Sequence, residues 1–518
     1  MKRISYLMCC ILLTNVAWSQ DLTLLSGGQI VTLSGGMLHV GGNVFVDASA
    51  SLTTTSDATL SGSFIVSGNT TGDITYKRYI TNTDWHLVSA PVTDQDIPTF
   101  VGVAGNAVAQ SGTTSNYGVS YYNNSNAANN RWTYHNNGSP LLENQETLTN
   151  FVSGQGYSMK KAATGAYTFT GAMANTDVAV SIPTVNAGTH RWSCIGNPFP
   201  SFLAVNNAAN AVANVLTGNL GNLDPSFAFL YVWNGTSYDP IGLSDTALQL
   251  APGQAFMVKA INLNETFTFS KGLQNHNSGP TTFYKGSSSI PTILVNLTSG
   301  AVNKATKLTF LDSSTTGLDV GYDAGAYQDG TPSFSLNTHL VLESQGVDFT
   351  IQSLPTSVLD SELAIPLSVY AAVNKKLTFS VAANNVPDGV AVYLEDSFNN
   401  TFTNLTDASV EITTTTALNG IGRFYLRTSS SVLSLENNVV DNSVNLYKTS
   451  NSTLKITGLK AQGNATLQMY NIGGKEVLAT QFVAQRVKEI SLPMLPTGVY
   501  IVSVVSKLGT FHKKLIIE

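Results

Sequence analysis

Apolar residues in this chain come in short bursts, and none runs longer than a β-strand can use. Val44-Phe45-Val46, Phe64-Ile65-Val66 and Tyr231-Val232-Trp233 are each cut off within a few positions by Gly, Ser, Thr or Asn. An amphipathic helix needs apolar residues recurring every three to four positions over at least about ten residues, and no such stretch is visible. The bursts are rich in Val, Ile, Thr, Tyr and Phe, which suit a pleated, half-buried surface. Charged residues make up 11% of the chain, against about 25% in a typical soluble protein. The expectation is an all-β protein. At 518 residues it exceeds what one hydrophobic core serves, so it is multi-domain, with β-sandwich or jelly-roll-like domains.

The net charge of −6 is unevenly spread. From Asp441 to Glu518 nine Lys and Arg face four Asp and Glu, whereas the preceding residues carry 17 against 28. A basic terminal module therefore follows an acidic body. The overall sign argues against a nucleic-acid partner, whose phosphates call for a basic face. Met1 to Gln20 reads as an export signal over 1–19. Lys2 and Arg3 are followed by the apolar Ile4 to Leu13, and Ala17-Trp18-Ser19 supplies small residues for cleavage before Gln20. No later run approaches the roughly 20 apolar residues of a spanning helix, so the mature chain is expected to have no transmembrane segment. Two of the three cysteines fall in the signal. The third, Cys194, sits in an apolar run where a thiol packs as a small hydrophobe.

The body divides into stretches of different texture. Residues 20–78 form a Gly/Ser/Thr-rich β-repeat region, its strands stacking as rungs or running as a meander. Residues 79–285 contain an internal repeat. Trp85-His86-Leu87-Val88-Ser89-Ala90-Pro91 returns as Trp192-Ser193-Cys194-Ile195-Gly196-Asn197-Pro198, and Gly154-Gln155-Gly156-Tyr157 returns as Gly253-Gln254-Ala255-Phe256. Two copies of one β-unit packed side by side is the reading. Residues 286–428 alternate as a β-sandwich, 429–442 is a linker, and 443–518 is a compact terminal domain.

In that last domain Leu454/Ile456 and Leu467/Met469 alternate with polar residues. The run Val499 to Val505 is largely apolar on both faces, which predicts a central strand covered on both sides. Lys507-Leu508-Gly509-Thr510 turns the chain, and Phe511, Leu515 and Ile517 face inward in a final strand. Three motifs carry a family likeness: Val444-Asn445-Leu446-Tyr447; Leu467 to Val477 with its Gly-Gly-Lys turn; and Leu495-Pro496-Thr497-Gly498-Val499-Tyr500-Ile501-Val502 followed by Lys513-Lys514-Leu515. The module resembles the type A C-terminal sorting domain of the type IX secretion system of Bacteroidetes, an Ig-like β-sandwich. The resemblance implies a partner in the type IX machinery, an outer-surface or secreted destination via the periplasm, and Gly498, Tyr500, Val502, Lys513 and Lys514 as sorting-signal residues. Glu518 stands where that family closes on Lys or Arg. Residues 20–76 similarly resemble short β-rich leaders of surface proteins from these bacteria. Residues 286–427, through Asp319 to Ala324 and Arg423-Phe424-Tyr425-Leu426, resemble a sandwich recurrent in such proteins.

Catalytic signatures are absent from the sequence: no Gly-x-Ser-x-Gly, His-Glu-x-x-His, phosphate loop or Cys-x-x-Cys. The seven His, at 39, 86, 135, 190, 276, 339 and 512, are scattered singly. The carboxylate pair Glu143/Glu146 matches no motif. Asp312, Asp319, Asp323 and Asp329 lie among glycines, where carboxylates on turns can supply oxygens to Ca2+; Asp is equally at home there bonding its own backbone. Trp132 and Tyr134 in the first copy, Trp233 and Tyr238 in the second, offer apolar ring faces on which sugars stack. No other cofactor is implied. The expected function is a non-enzymatic, adhesin-like cell-surface or secreted scaffold, partnered by surface glycans or other cells. The alternatives are a carbohydrate-binding protein and a hydrolase without a recognisable signature.

Overall fold

A computed structural model describes residues 18–19, 21–128, 130–183, 190–276, 290–328, 330–342, 344–361, 363–429, 444–450, 452–459, 463–471, 473–506 and 509–517. Residues 1–17, most of the expected linker (430–442), Asp329, Glu518 and the turn at Lys507-Leu508 lie outside them. The chain divides into two compact units, Met1–Ser288 and Ser289–Glu518. The fold is all-β and multi-domain. Among the described residues no helix is long and apolar enough to cross a membrane.

The first unit opens as a coil of three turns with three flat sides. Strands Trp18–Ser19, Met37–Val40 and Ser63–Val66 stack in parallel on one side. Leu22–Leu24, Val44–Val46 and Thr70–Thr71 form the second, and Gln29–Thr32, Ser51–Thr55 and Ile74–Ile80 the third. Stacked rungs are therefore what the Gly-punctuated runs build, rather than a meander. Alternation decides what goes inside: Val44 and Val46 are buried while Phe45 between them points out. The last rung strand, Ile74–Ile80, also pairs antiparallel with Gly165–Gly171. The coil and the segment that follows consequently share one hydrophobic core, in which Phe64, Ile74, Val88, Phe100, Tyr157 and Phe169 all take part.

Two sheets of equivalent order follow. The first runs Trp85–Ser89, Gly156–Lys160, Val119–Tyr122, Trp132–His135, with Gln145–Glu146 added in parallel at its edge; the second runs Trp192–Gly196, Ala255–Lys259, Leu230–Trp233, Tyr238–Ile241. The outer pair Ile74–Ile80/Gly165–Gly171 likewise matches Val178–Ile182/Glu265–Phe269. The sheets meet through reciprocal backbone bonds. Ser89 N–H donates to the Gly253 carbonyl at 3.0 Å, and Gly196 N–H donates to the Gly154 carbonyl at 2.9 Å. Bridges Val88↔Gln254 and Gln155↔Ile195 repeat the exchange. Each contact has its twin, as in a two-fold dimer interface drawn into one chain. Gly154 and Gly253 both adopt positive φ, 79° and 68°, which side-chain-bearing residues rarely take. A side chain at Gly156 would stand 2.5 Å from Cys194 Sγ, and one at Gly196 would stand 2.7 Å from Ser89 Cβ and the Gln254 carbonyl. The residues that recur between the two stretches of sequence are thus the ones that form the seam.

The second unit holds two separate hydrophobic cores. In the first, one long sheet runs from Thr401–Asn404 at one end to Val410–Thr413 at the other. It folds over on itself: Phe379, near one end, meets Phe424, near the other, with ring centroids 4.8 Å apart. The terminal module has a three-stranded sheet, Asn445–Ser450, Thr453–Thr457 and Val487–Ser491, and a four-stranded one. The latter runs Glu476–Val483, Asn464–Asn471, Gly498–Ser506, Gly509–Ile517. Leu454, Ile456, Leu467, Met469, Val502 and Leu515 fill the space between them. One expectation is overturned. Gly498–Ser506 has neighbours on both edges, but its two faces differ: Tyr500, Val502 and Val504 are buried on one, while on the other Ile501 and Val505 are exposed on either side of a buried Ser503. Apolar residues on both faces do not by themselves signal two-sided burial, because a small sandwich has no third layer to supply it.

Candidate functional site

Of the four aromatic residues singled out from the sequence, Trp132 and Tyr238 occupy equivalent places in the two sheets, Trp233 matches Tyr122, and Tyr134 falls where the second sheet has Pro240. Trp132 and Tyr134 lie on the strand beyond Val119–Tyr122, and Trp233 and Tyr238 face each other across Leu230–Trp233 and Tyr238–Ile241. All four are half-buried. Their rings meet neighbours at steep angles: Tyr122–Trp132 at 77°, Trp85–Tyr134 at 65° and Trp233–Tyr238 at 58°. Such edge-to-face contacts suit the ring quadrupole and consume ring faces in packing. Lys160 Nζ covers another, 5.8 Å from the Trp85 ring centroid. The rings also bind the seam, since Trp233 Nε1–H donates to the Trp85 carbonyl at 3.0 Å and the Asn124 amide donates to the Trp192 carbonyl. Tyr122 completes the cluster, its hydroxyl 2.6 Å from His190 Nε2.

The aspartates of the second unit separate. Asp319 and Asp323 come together in one turn: Asp323 accepts the Asp319 N–H at 2.6 Å and the Ser353 N–H at 2.6 Å. Asp319 in turn accepts the Thr315 N–H at 2.7 Å. Burial raises the Asp323 carboxyl to about 7, against the two N–H bonds that favour its charged form. Asp312 stands apart, accepting a hydrogen bond from the Thr356 hydroxyl, and Asp329 is outside the described residues. Among those residues, no group of three or more His, Cys, Asp or Glu is placed to hold a metal ion. Asp323 pins the turn to strand Phe349–Leu354 through Ser353, and Asp319 spends its oxygens on Thr315 within the loop.

Of the sorting residues, Tyr500 and Val502 are core, and the Tyr500 hydroxyl donates to the Pro496 carbonyl at 2.7 Å. Gly498 pairs with Ile517 at the open end of the last hairpin. Lys513 Nζ reaches Asn445 Oδ1 at 3.0 Å, whereas Lys514 points outward beside Ile501. Three exposed apolar residues, Ile501, Val505 and Ile516, share that outer face with it. Nothing in the motif itself singles these three out.

Other charged groups also escaped sequence reasoning. Lys161 is buried, hydrogen-bonded to the Asn106 and Ala166 carbonyls and 4.3 Å from the Tyr167 ring centroid; burial lowers its pKa to about 8. Its signal was present, because two adjacent lysines after an alternating strand must point to opposite faces. Asp224 joins Arg191 and Lys259, both at 3.2 Å. His339 Nε2 lies 2.7 Å from Asp348. Burial works to raise the Asp348 pKa, but the hydrogen bond and charge of His339 outweigh it and the carboxyl is held low. Burial pushes the Cys194 thiol well up, away from thiolate reactivity.

Comparison with known proteins covers nearly the whole chain. Residues 6–427 match the model of a domain of unknown function, DUF8693. Residues 431–518 match a secretion system C-terminal sorting domain. No curated protein matches. Two solved structures bear a faint likeness. Dimeric latent PorU from Porphyromonas gingivalis is 12% identical, with 48% of this chain and 31% of that one covered and a TM-score of 0.14. A biofilm-associated protein, its BSP domain, is 8% identical, with 85% and 91% covered and a TM-score of 0.18. Scores this low carry no conclusion about fold or function.

Proposed function

Since the chain belongs to the family defined by the domain of unknown function DUF8693 and ends in a type IX sorting domain that sends it to the cell surface or beyond, we propose that it works outside the cell as a non-enzymatic, adhesin-like β-scaffold. One observation supports this reading above the others: Asp224, Asp396 and Asp323, carboxylates that could do chemistry, are engaged in holding the β-structure together. Asp224 joins Arg191 to Lys259, Asp396 is clasped by Arg423 at 2.7 Å, and Asp323 pins its turn. Groups so engaged supply rigidity, which an exported scaffold needs. The sorting domain's contact with the export machinery would fall on the outer face of its last hairpin, where Ile501, Lys514 and Ile516 are exposed.

A second reading, carbohydrate binding, draws on the half-buried rims of Trp132, Tyr134, Trp233 and Tyr238 on the paired sheets. A glycan array and a cell-adhesion assay with the full chain, beside Trp132→Ala and Trp233→Ala variants, separate the readings. Adhesion that survives both substitutions supports the scaffold; sugar binding lost in both supports the lectin. Turnover of a glycoside or peptide, abolished by one conservative substitution, would overturn the non-enzymatic reading.

A further inference from the structure

Within the second unit the sandwich and the terminal module touch, yet no strand of one pairs with a strand of the other among the described residues. Side chains of the module are set against backbone and side chains of the sandwich, and the contact is closely fitted. The Tyr447 ring is buried over the loop that holds His339, the two ring centroids 5.8 Å apart. Gly346 lies beneath it, where an added side chain would come 2.9 Å from Tyr447 Cδ2. At a second point Val487 seats against Gly422 so tightly that any side chain there would collide with it. At a third, Arg486 donates to Asn400 Oδ1 at 2.7 Å and lies 3.7 Å from Glu395, a carboxylate already paired with Arg427 at 2.8 Å. Two glycine-floored sockets and an ion pair give both shape and charge complementarity, as specific interfaces require.

Beneath Tyr447 the sandwich presents a closed constellation. His339 is bonded through Nε2 to Asp348 and lies 3.3 Å through Nδ1 from Ser344 Oγ, and Gln328 donates to the same aspartate at 3.1 Å. We propose that the terminal module is a separable cap on the sandwich: its Tyr447, Arg486 and Val487 fit a socket formed by Gly346, Gly422, Glu395 and Asn400 and cover the His339–Asp348 pair. While the cap is on, the His339 and Ser344 side chains are withheld from solvent and from outside partners. Separate cores and the lack of strand pairing let the cap come off without unfolding either side.

The test uses the full chain with a protease recognition sequence placed in residues 430–443. After cutting, the wild-type module stays with the body on size-exclusion chromatography at micromolar concentration. Arg486→Glu releases it, and adding Glu395→Arg restores it, a rescue that a merely misfolded variant would not show. Carbethoxylation of His339, followed by mass spectrometry, is slow in the capped protein and several-fold faster once the module is released. The proposal fails if the cut wild-type fragments part at once, if Arg486→Glu holds its module as firmly as wild type, or if His339 reacts equally fast with and without the cap.

Discussion

Two joints within the molecule solve the same problem by different means. In the first unit, sheets built on Trp85–Ser89 and Trp192–Gly196 are sewn together by reciprocal backbone bonds between residues 88–89 and 253–254, and between 154–155 and 195–196. In the second, the terminal module meets the sandwich through Tyr447, Arg486 and Val487, side chains set in sockets. Backbone groups taken from water must find partners, so a joint made from them is costly to open. A joint of side chains over distinct cores can part while both partners keep their own hydrogen bonds. The difference teaches that one chain carries a permanent seam and a reversible one, and that the reversible one holds the sorting domain.

The contrast can be broken most severely in the cores. Leu467→Ala, at a wholly buried site of the module, is expected to cost about 2–5 kcal/mol, melting the module first and leaving the sandwich transition in place by calorimetry. One merged transition would show that the second joint is no weaker than the first. Gly196→Val should cost roughly 1–3 kcal/mol through overpacking against Ser89 and Gln254, and lower the melting of the first unit as a whole.

The units should also respond to pH in opposite senses. The Asp323 carboxyl, ordinarily near 3.8, is raised to about 7 in the folded state. Its contribution is therefore complete below pH 3.8 and is lost as pH rises towards 7, because the unfolded chain ionises first. Lys161 is lowered from 10.5 to about 8. Its contribution is complete above pH 10.5 and is lost as pH falls towards 8. Denaturant titrations across these windows check both signs, with Asp323→Asn and Lys161→Met flattening the respective slopes. The smallest effect is expected from Trp233→Phe, which removes the hydrogen bond to the Trp85 carbonyl for about 1 kcal/mol; urea unfolding of the full chain measures it.

Much of the fold was legible because β-structure writes its period into the chain. Met37–Val40 and Val44–Val46 can be read directly, since each ends at a Gly or polar cluster. The two-sheet arrangement was foreshadowed by Trp85/Trp192 and Gly154/Gly253, residues that recur because both halves need the same tight approach. The candidate sites were less legible. Exposure of Trp132 or Tyr134 depends on which ring turns its edge to its neighbour, and Asp312 differs from Asp323 only in what lies across from it. The exposed Ile501 looked internal because composition records polarity without recording which face has a neighbour.

Alternation, glycine punctuation and the terminal motif are local properties, and from them alone the sequence determined the strands, the β class and the C-terminal sorting domain. The tertiary structure decided the rest: that the first runs stack as a three-sided coil, that the repeat closes on itself through its backbone, and that Tyr447 caps His339. These are encounters between residues far apart in the chain. Their free energy depends on shape, distance and desolvation at the contact, which no local window of residues contains.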